Sequence, residues 1–145
     1  MATLTRGRDC TVTAFDPLVA GHLLPCAAPR DVVRIADSGP SSTVTLDGAV
    51  LAIAGLVIYG RSATAWAVVT DAGRGHPVMV HRTVKRFLGA LVRQHRLRRV
   101  EARALQHDHA AHRWLEALGF WPESTAALWG PNGETAWTYV LLYRD

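Results

Sequence analysis

The chain has 145 residues, 49% of them hydrophobic and 19% charged, with a formal net charge of +4, a size and balance that fit one self-sufficient domain expected to span residues 1–145. The most apolar stretch, residues 49–59, is broken by Gly55 and ends at Gly60 and Arg61, and no apolar block follows Arg6 and Arg8, so neither a membrane span nor a secretory signal is expected and the chain is placed in the cytoplasm. Two cysteines, Cys10 and Cys26, are too few for a disulfide framework or a zinc cluster and are expected as reduced thiols.

Taken in order, residues 10–15 carry the β-branched alternation of a first strand. Asp16-Pro17 then supplies a cap and a first-position proline for a helix, and Pro29-Arg30-Asp31 opens a second, short one through Ala36. Residues 37–42 are all turn formers and lead into a strand-rich middle. Residues 43–46 and 50–59 flank Asp47-Gly48, the dipeptide suited to a type I′ turn, so they are expected to pair as an antiparallel hairpin, with residues 63–70 as the next strand. The period then changes: Val80, Val84, Phe87, Leu88 and Leu91 form one apolar stripe of a long helix, and Arg82, Lys85, Arg86 and Arg93 occupy its other face.

Residues 100–105 read as a short strand that can lie parallel to strand 63–70 through a right-handed crossover. A last helix is expected from Asp108 to Leu118, stopped by Gly119. A hairpin closes the chain: residues 126–129, the turn Pro131-Asn132-Gly133, and strand 135–143, an end strand expected at a sheet edge open to another copy. The fold class is therefore α/β, a mixed and mostly antiparallel sheet with one central parallel crossover and flanking helices.

Charge is unevenly spread. Residues 74–113 hold ten Arg or Lys against two acids. Such a block is either a solvated helix face in an arginine-rich chain or a surface for an anion, and non-specific contact with DNA phosphates by residues 82–99 belongs to the second reading.

The element order, together with Trp114-Leu115-Glu116-Ala117-Leu118-Gly119-Phe120, resembles the GNAT superfamily of acetyl-CoA-dependent N-acetyltransferases. The family's helix carries an N-x-x-A-x-x-x-Y-x-x-x-G-F type pattern; Ala111, Gly119 and Phe120 match it, Asp108 stands in place of Asn, and Leu115 in place of Tyr. The dispersed set His22-Leu23, Pro29-Arg30-Asp31, Asp47-Gly48, Ala65-Trp66 and Trp114-Leu115 is similar to small GNAT-like proteins of phages and prophages, among them an internal virion protein. The resemblance implies acetyl-CoA as cofactor and an amine, small or on a protein, as acceptor; for the phage-type members it implies virion proteins as partners.

Acetyl transfer needs a cradle for the pyrophosphate, donors for the developing oxyanion, and a route for two protons. The resemblance places the cradle at residues 71–79, with Arg74, Gly75, His76 and Val78 as cofactor contacts, and the oxyanion donor on the backbone of Val68 or Val69. Pro77 stands where a second glycine would be and has no N–H to donate; as a first helical residue it is equally at home. Met79 puts a bulky side chain at a position the family keeps small. Proton transfer is assigned to Glu101 or Asp108, with Asp71, His107 and His109 as further bases, while the family's tyrosine acid is replaced by Leu115. His107, His109 and His112 lack the spacing of a metal site, and Asp108 is expected to cap the last helix with these histidines in solvent. The acceptor side would fall on residues 18–36 and 128–137.

Overall fold

The computed structural model describes residues 10–15 and 29–144. Its elements run β1 (Thr11–Ala14), α1 (Pro29–Ala36), β2 (Ser41–Leu46), β3 (Ala49–Tyr59), β4 (Ser62–Val69), α2 (Asp71–Arg74), α3 (Pro77–His95), β5 (Arg99–Leu105), α4 (His109–Ala117), β6 (Trp121–Ala126) and β7 (Ala136–Leu142). The helix expected at Asp16-Pro17 lies outside the described residues. The seven strands form a sheet in the order β1-β2-β3-β4-β5-β7-β6. β4 and β5 pair in parallel, and β1·β2, β2·β3, β5·β7 and β6·β7 are antiparallel.

The described residues group into two compact units, one of residues 10–56 and 67–84 and the other of residues 57–66 and 85–144. In the first unit, Asp47 (φ 50°) and Gly48 (φ 81°) both take the left-handed conformation, the signature of a type I′ turn, and this sets the β2·β3 register. Leu51, Ala52, Ile53 and Ala54 are all buried, so β3 is covered on both faces. An unbroken apolar run, rather than an alternating one, is what such a strand requires.

The core of the second unit is built from Val100, Ala102 and Ala104 of β5, Ala136, Tyr139 and Val140 of β7, Leu115 and Leu118 from the α4 region, and Phe120. Asp108 caps α4 by accepting from the Ala111 N–H at 3.1 Å. At the other end Gly119 (φ 99°) donates to the Glu116 carbonyl and Phe120 to the Leu115 carbonyl, which is a Schellman closure with two buried side chains, Leu115 and Phe120, at its hydrophobic contact positions.

Three sequence expectations are corrected. The penultimate strand is Trp121–Ala126, not residues 126–129. Its first five residues are exposed and include Pro122, with a register shift between Pro122 and Ser124, so they carry no alternation to read; Leu128, at φ 57°, cannot continue a strand. The final strand is interior, between β5 and β6, and β6 takes the sheet edge. A one-turn helix, α2, follows β4 where an open loop was expected.

Candidate functional site

The candidate cofactor-binding residues lie in the first unit, where β4 runs into α2 and then α3. Thr70 is 6% exposed and organises this junction. Its N–H donates to the Leu51 carbonyl at 3.0 Å, its hydroxyl lies 2.7 Å from the Val50 carbonyl and 3.1 Å from that of Leu51, and its Oγ1 accepts from the Gly73 N–H as N-cap of α2. Gly73 is required by this docking: a Cβ there would overlap the Leu51 carbonyl oxygen and lie 2.9 Å from Val69 Cγ1. The turn is thus clamped onto β3 by one threonine and one glycine.

The clamp decides which backbone donors face outward. Gly73 N–H goes to Thr70 Oγ1, Arg74 N–H to the Thr70 carbonyl, Gly75 N–H to the Ala72 carbonyl and His76 N–H to the Gly73 carbonyl. Pro77 has no N–H. The first i→i−4 bond at the start of α3 is from Val80 to the His76 carbonyl, so Val78 and Met79 carry the first-turn amides that an α-helix leaves without intrahelical partners. Around them Arg74, His76 and Val78 are exposed, Val78 at 61%, and the first turn of α3 holds no acid. Arg74 pairs with Asp71 at 3.4 Å, both largely in solvent. Among the predicted contacts, Arg74, His76 and Val78 therefore sit together at one helix mouth, while the Gly75 amide is engaged within the turn.

In the second unit the parallel β4·β5 register runs Ser62↔Arg99, Ala63↔Val100 and Thr64↔Glu101. Further along β4, Ala67 is exposed and Val68 and Val69 are half-buried.

The two predicted proton-transfer carboxylates belong to the second unit and are both engaged. Glu101 Oε1 accepts from Arg99 Nε at 2.9 Å and Nη2 at 2.7 Å, and its Oε2 lies 3.7 Å from Arg103. Arg99 also binds both oxygens of Glu123. These contacts, Glu123 first and Glu101 second, hold the guanidinium pKa well above its usual range, and Arg99 in turn holds the Glu123 carboxyl below the ordinary glutamate range. Asp108 uses Oδ1 to cap α4.

His107 and His109 are exposed as expected, but His112 is not in solvent. Its Nε2–H donates to the Leu105 carbonyl at 3.0 Å, which leaves Nδ1 of the neutral ring to accept from the Tyr139 hydroxyl at 2.7 Å. Trp137 meets the ring edge-on at 5.3 Å. Tyr139 is 1% exposed, and burial, with Glu116 nearby, raises its pKa. Leu115, at the position of the family's tyrosine, is also buried and offers no proton. Sequence reading missed Thr70 and the His112–Tyr139 pair. A threonine at a strand end followed by an acid and then Gly73 is a recognisable cap signal, whereas nothing in the spacing of residues 112 and 139 announces their contact. Among the described residues no cluster of three or more His, Cys, Asp or Glu is arranged to hold a metal, and no helix is long and apolar enough to cross a membrane.

No protein-family model and no curated protein sequence matches the chain. Solved structures do. The ribosomal-protein-S18-alanine N-acetyltransferase of Escherichia coli superposes with a TM-score of 0.75 at 14% identity, covering 92% of this chain and 93% of that one. A spermidine N-acetyltransferase variant from Vibrio cholerae gives 0.75 at 13% identity over 92% and 94%. An acetyltransferase of the GNAT family from Bacillus anthracis gives 0.72 at 13% identity over 92% and 94%. The chain has the GNAT fold.

Proposed function

We propose that this protein is an acetyl-CoA-dependent N-acetyltransferase acting on a primary amine, either a small molecule or an amine of a protein. The observation that carries the reading is the mouth of α3, whose approach is held on β3 by Thr70 and Gly73. The α3 mouth fits a pyrophosphate in donor chemistry: two first-turn amides at Val78 and Met79, a guanidinium at Arg74, an imidazole at His76, and no acid in that turn of α3. When bound, acetyl-CoA supplies an acetyl group already activated as a thioester. The backbone of Val68 or Val69 would orient the thioester carbonyl and stabilise its oxygen as charge develops. Of the carboxylates, Glu101 has Oε1 bound by Arg99 and Oε2 facing Arg103, whereas Asp108 has Oδ2 outside its cap and so retains one oxygen for a proton. Solved relatives named for spermidine and for ribosomal-protein alanine support an amine acceptor without choosing between the two classes.

Calorimetry with acetyl-CoA, followed by thiol release with spermidine and with an alanine-terminated peptide, tests this reading. Binding in the micromolar range, lost in Arg74→Glu, and turnover with either amine are the expected results; no heat at millimolar acetyl-CoA refutes it. Leu115, Pro77 and the internally bonded amides of residues 73–76 favour a second reading, a GNAT-like protein of the phage type that has lost catalysis and serves as a virion or interaction component. Heat without thiol release from any amine separates retained cofactor binding from turnover.

A further inference from the structure

From residue 72 to residue 100 the chain contains no Asp or Glu, and the proposed cofactor mouth involves only the first turn of α3. Further along this helix, in the second unit, Lys85, Arg86 and Arg93 are exposed, and among the described residues none of them forms an ion pair. At about 100° per residue Lys85, Gly89, Arg93 and Arg86 fall within a sector of about 100°, and exposed Arg82, one turn earlier on α3, falls in the same sector, so these three cations and Arg82 share one face around a glycine. Nothing in the fold calls for that glycine. Gly89 has no positive φ, and a Cβ on it would meet Arg93 Nη1 at 3.5 Å, an ordinary contact, although glycine is the poorer residue inside a helix. Like charges without counter-ions and an unneeded glycine are two separate departures from what the helix alone would favour.

We propose that this face of α3, Lys85, Arg86 and Arg93 around the bare backbone at Gly89, is a docking surface for the phosphodiester backbone of a nucleic acid. The cations span about 12 Å along the axis at 1.5 Å per residue. One strand of a duplex presents about three phosphates over that distance. Gly89 lets a phosphate approach the helix where any side chain would hold it off. Its exposed neighbours Ala90 and Gln94 offer no aromatic or bulky apolar anchor of the kind that protein interfaces place at their centre, so positive charge is what this face presents. Binding is thus electrostatic and independent of sequence.

The test is fluorescence anisotropy with a short labelled duplex DNA and a short single-stranded RNA, in salt from about 50 to 200 mM, with poly-glutamate as competitor. Three phosphate contacts on duplex DNA give a log–log salt slope of about −2.7, a loss of about 40-fold in affinity over that range. The triple variant Lys85→Gln, Arg86→Gln, Arg93→Gln should lower the slope by about 2.7, each single variant should lower it by about 0.9, and Arg113→Gln, an exposed change on α4, should leave it unchanged. Gly89→Ala should weaken binding while melting no lower than the parent. Binding by either nucleic acid supports the proposal and identifies the source of the phosphates. A slope that the single and triple variants do not alter overturns it, as does competition by poly-glutamate at equal charge concentration.

Discussion

Gly73→Ala probes the clamp beneath the proposed cofactor mouth. The added methyl would overlap the Leu51 carbonyl oxygen, a backbone atom of a buried strand that cannot rotate away. Forcing a methyl into a packed site costs about 1–3 kcal/mol. Relief requires α2 to lift from β3, weakening the Thr70 N–H bond to the Leu51 carbonyl and the one hydroxyl hydrogen bond that Thr70 shares between the Val50 and Leu51 carbonyls, each of about 1 kcal/mol. Alanine returns about 1 kcal/mol in helix propensity. The expected net loss is about 2–3 kcal/mol, or about 4–12 °C in melting temperature for a chain of this size. Urea and thermal unfolding measure it, and acetyl-CoA affinity should fall with it, because the same turn sets the direction of the Val78 and Met79 amides. A Gly73→Ala protein within about 0.5 kcal/mol of the parent, binding cofactor equally well, would show that the turn is not clamped as described.

Asp108→Ala removes the α4 cap and should cost about 1 kcal/mol in urea unfolding; a fall in turnover with Asp108→Asn much larger than the accompanying change in stability would mark the carboxylate as a proton carrier as well. Tyr139→Phe leaves His112 Nδ1 without its donor and should destabilise by about 1–3 kcal/mol, with a double-mutant cycle against His112→Ala giving a coupling of at least about 0.5 kcal/mol; additive effects would mean the bond contributes nothing. Arg99 lowers the Glu123 pKa in the folded protein, so this pair's stabilisation is present above the unfolded glutamate value of about 4.3 and is lost as pH falls through the lower folded value. Acid unfolding of Glu123→Gln should therefore be less steep than that of the parent below about pH 4.3, and identical profiles would remove the pair from the account.

Most of the framework was legible because it rests on local signals. Asp47-Gly48 predicts its own turn, the spacing of Val80, Val84, Leu88 and Leu91 predicts the buried stripe of α3, and Gly119 predicts the end of α4; the backbone angles and burial agree in each case. β6 was not legible, since Trp121-Pro122-Glu123-Ser124 has no apolar alternation and a proline at its second position, and it becomes a strand only because β7 offers it a partner. The site was legible in part. Arg74, His76 and Val78 were located by resemblance and do cluster, but the closure of residues 71–74 into a helical turn depends on Thr70 reaching carbonyls about twenty residues earlier in the chain, a contact no local pattern encodes. The bonding of His112 to Tyr139, 27 positions away, is hidden for the same reason.

The position of β6 at the rim of the sheet also bears on self-association. An unprotected rim strand is a template on which further chains can add. Here the second residue of that strand is a proline, which cannot donate; the register slips immediately after it, and the Glu123 carboxylate is held by Arg99 close by. A chain arriving to extend the ladder would meet a missing donor, a misaligned repeat and a charge together, so growth by strand addition is blocked on this side by the very residues that made the strand hard to recognise.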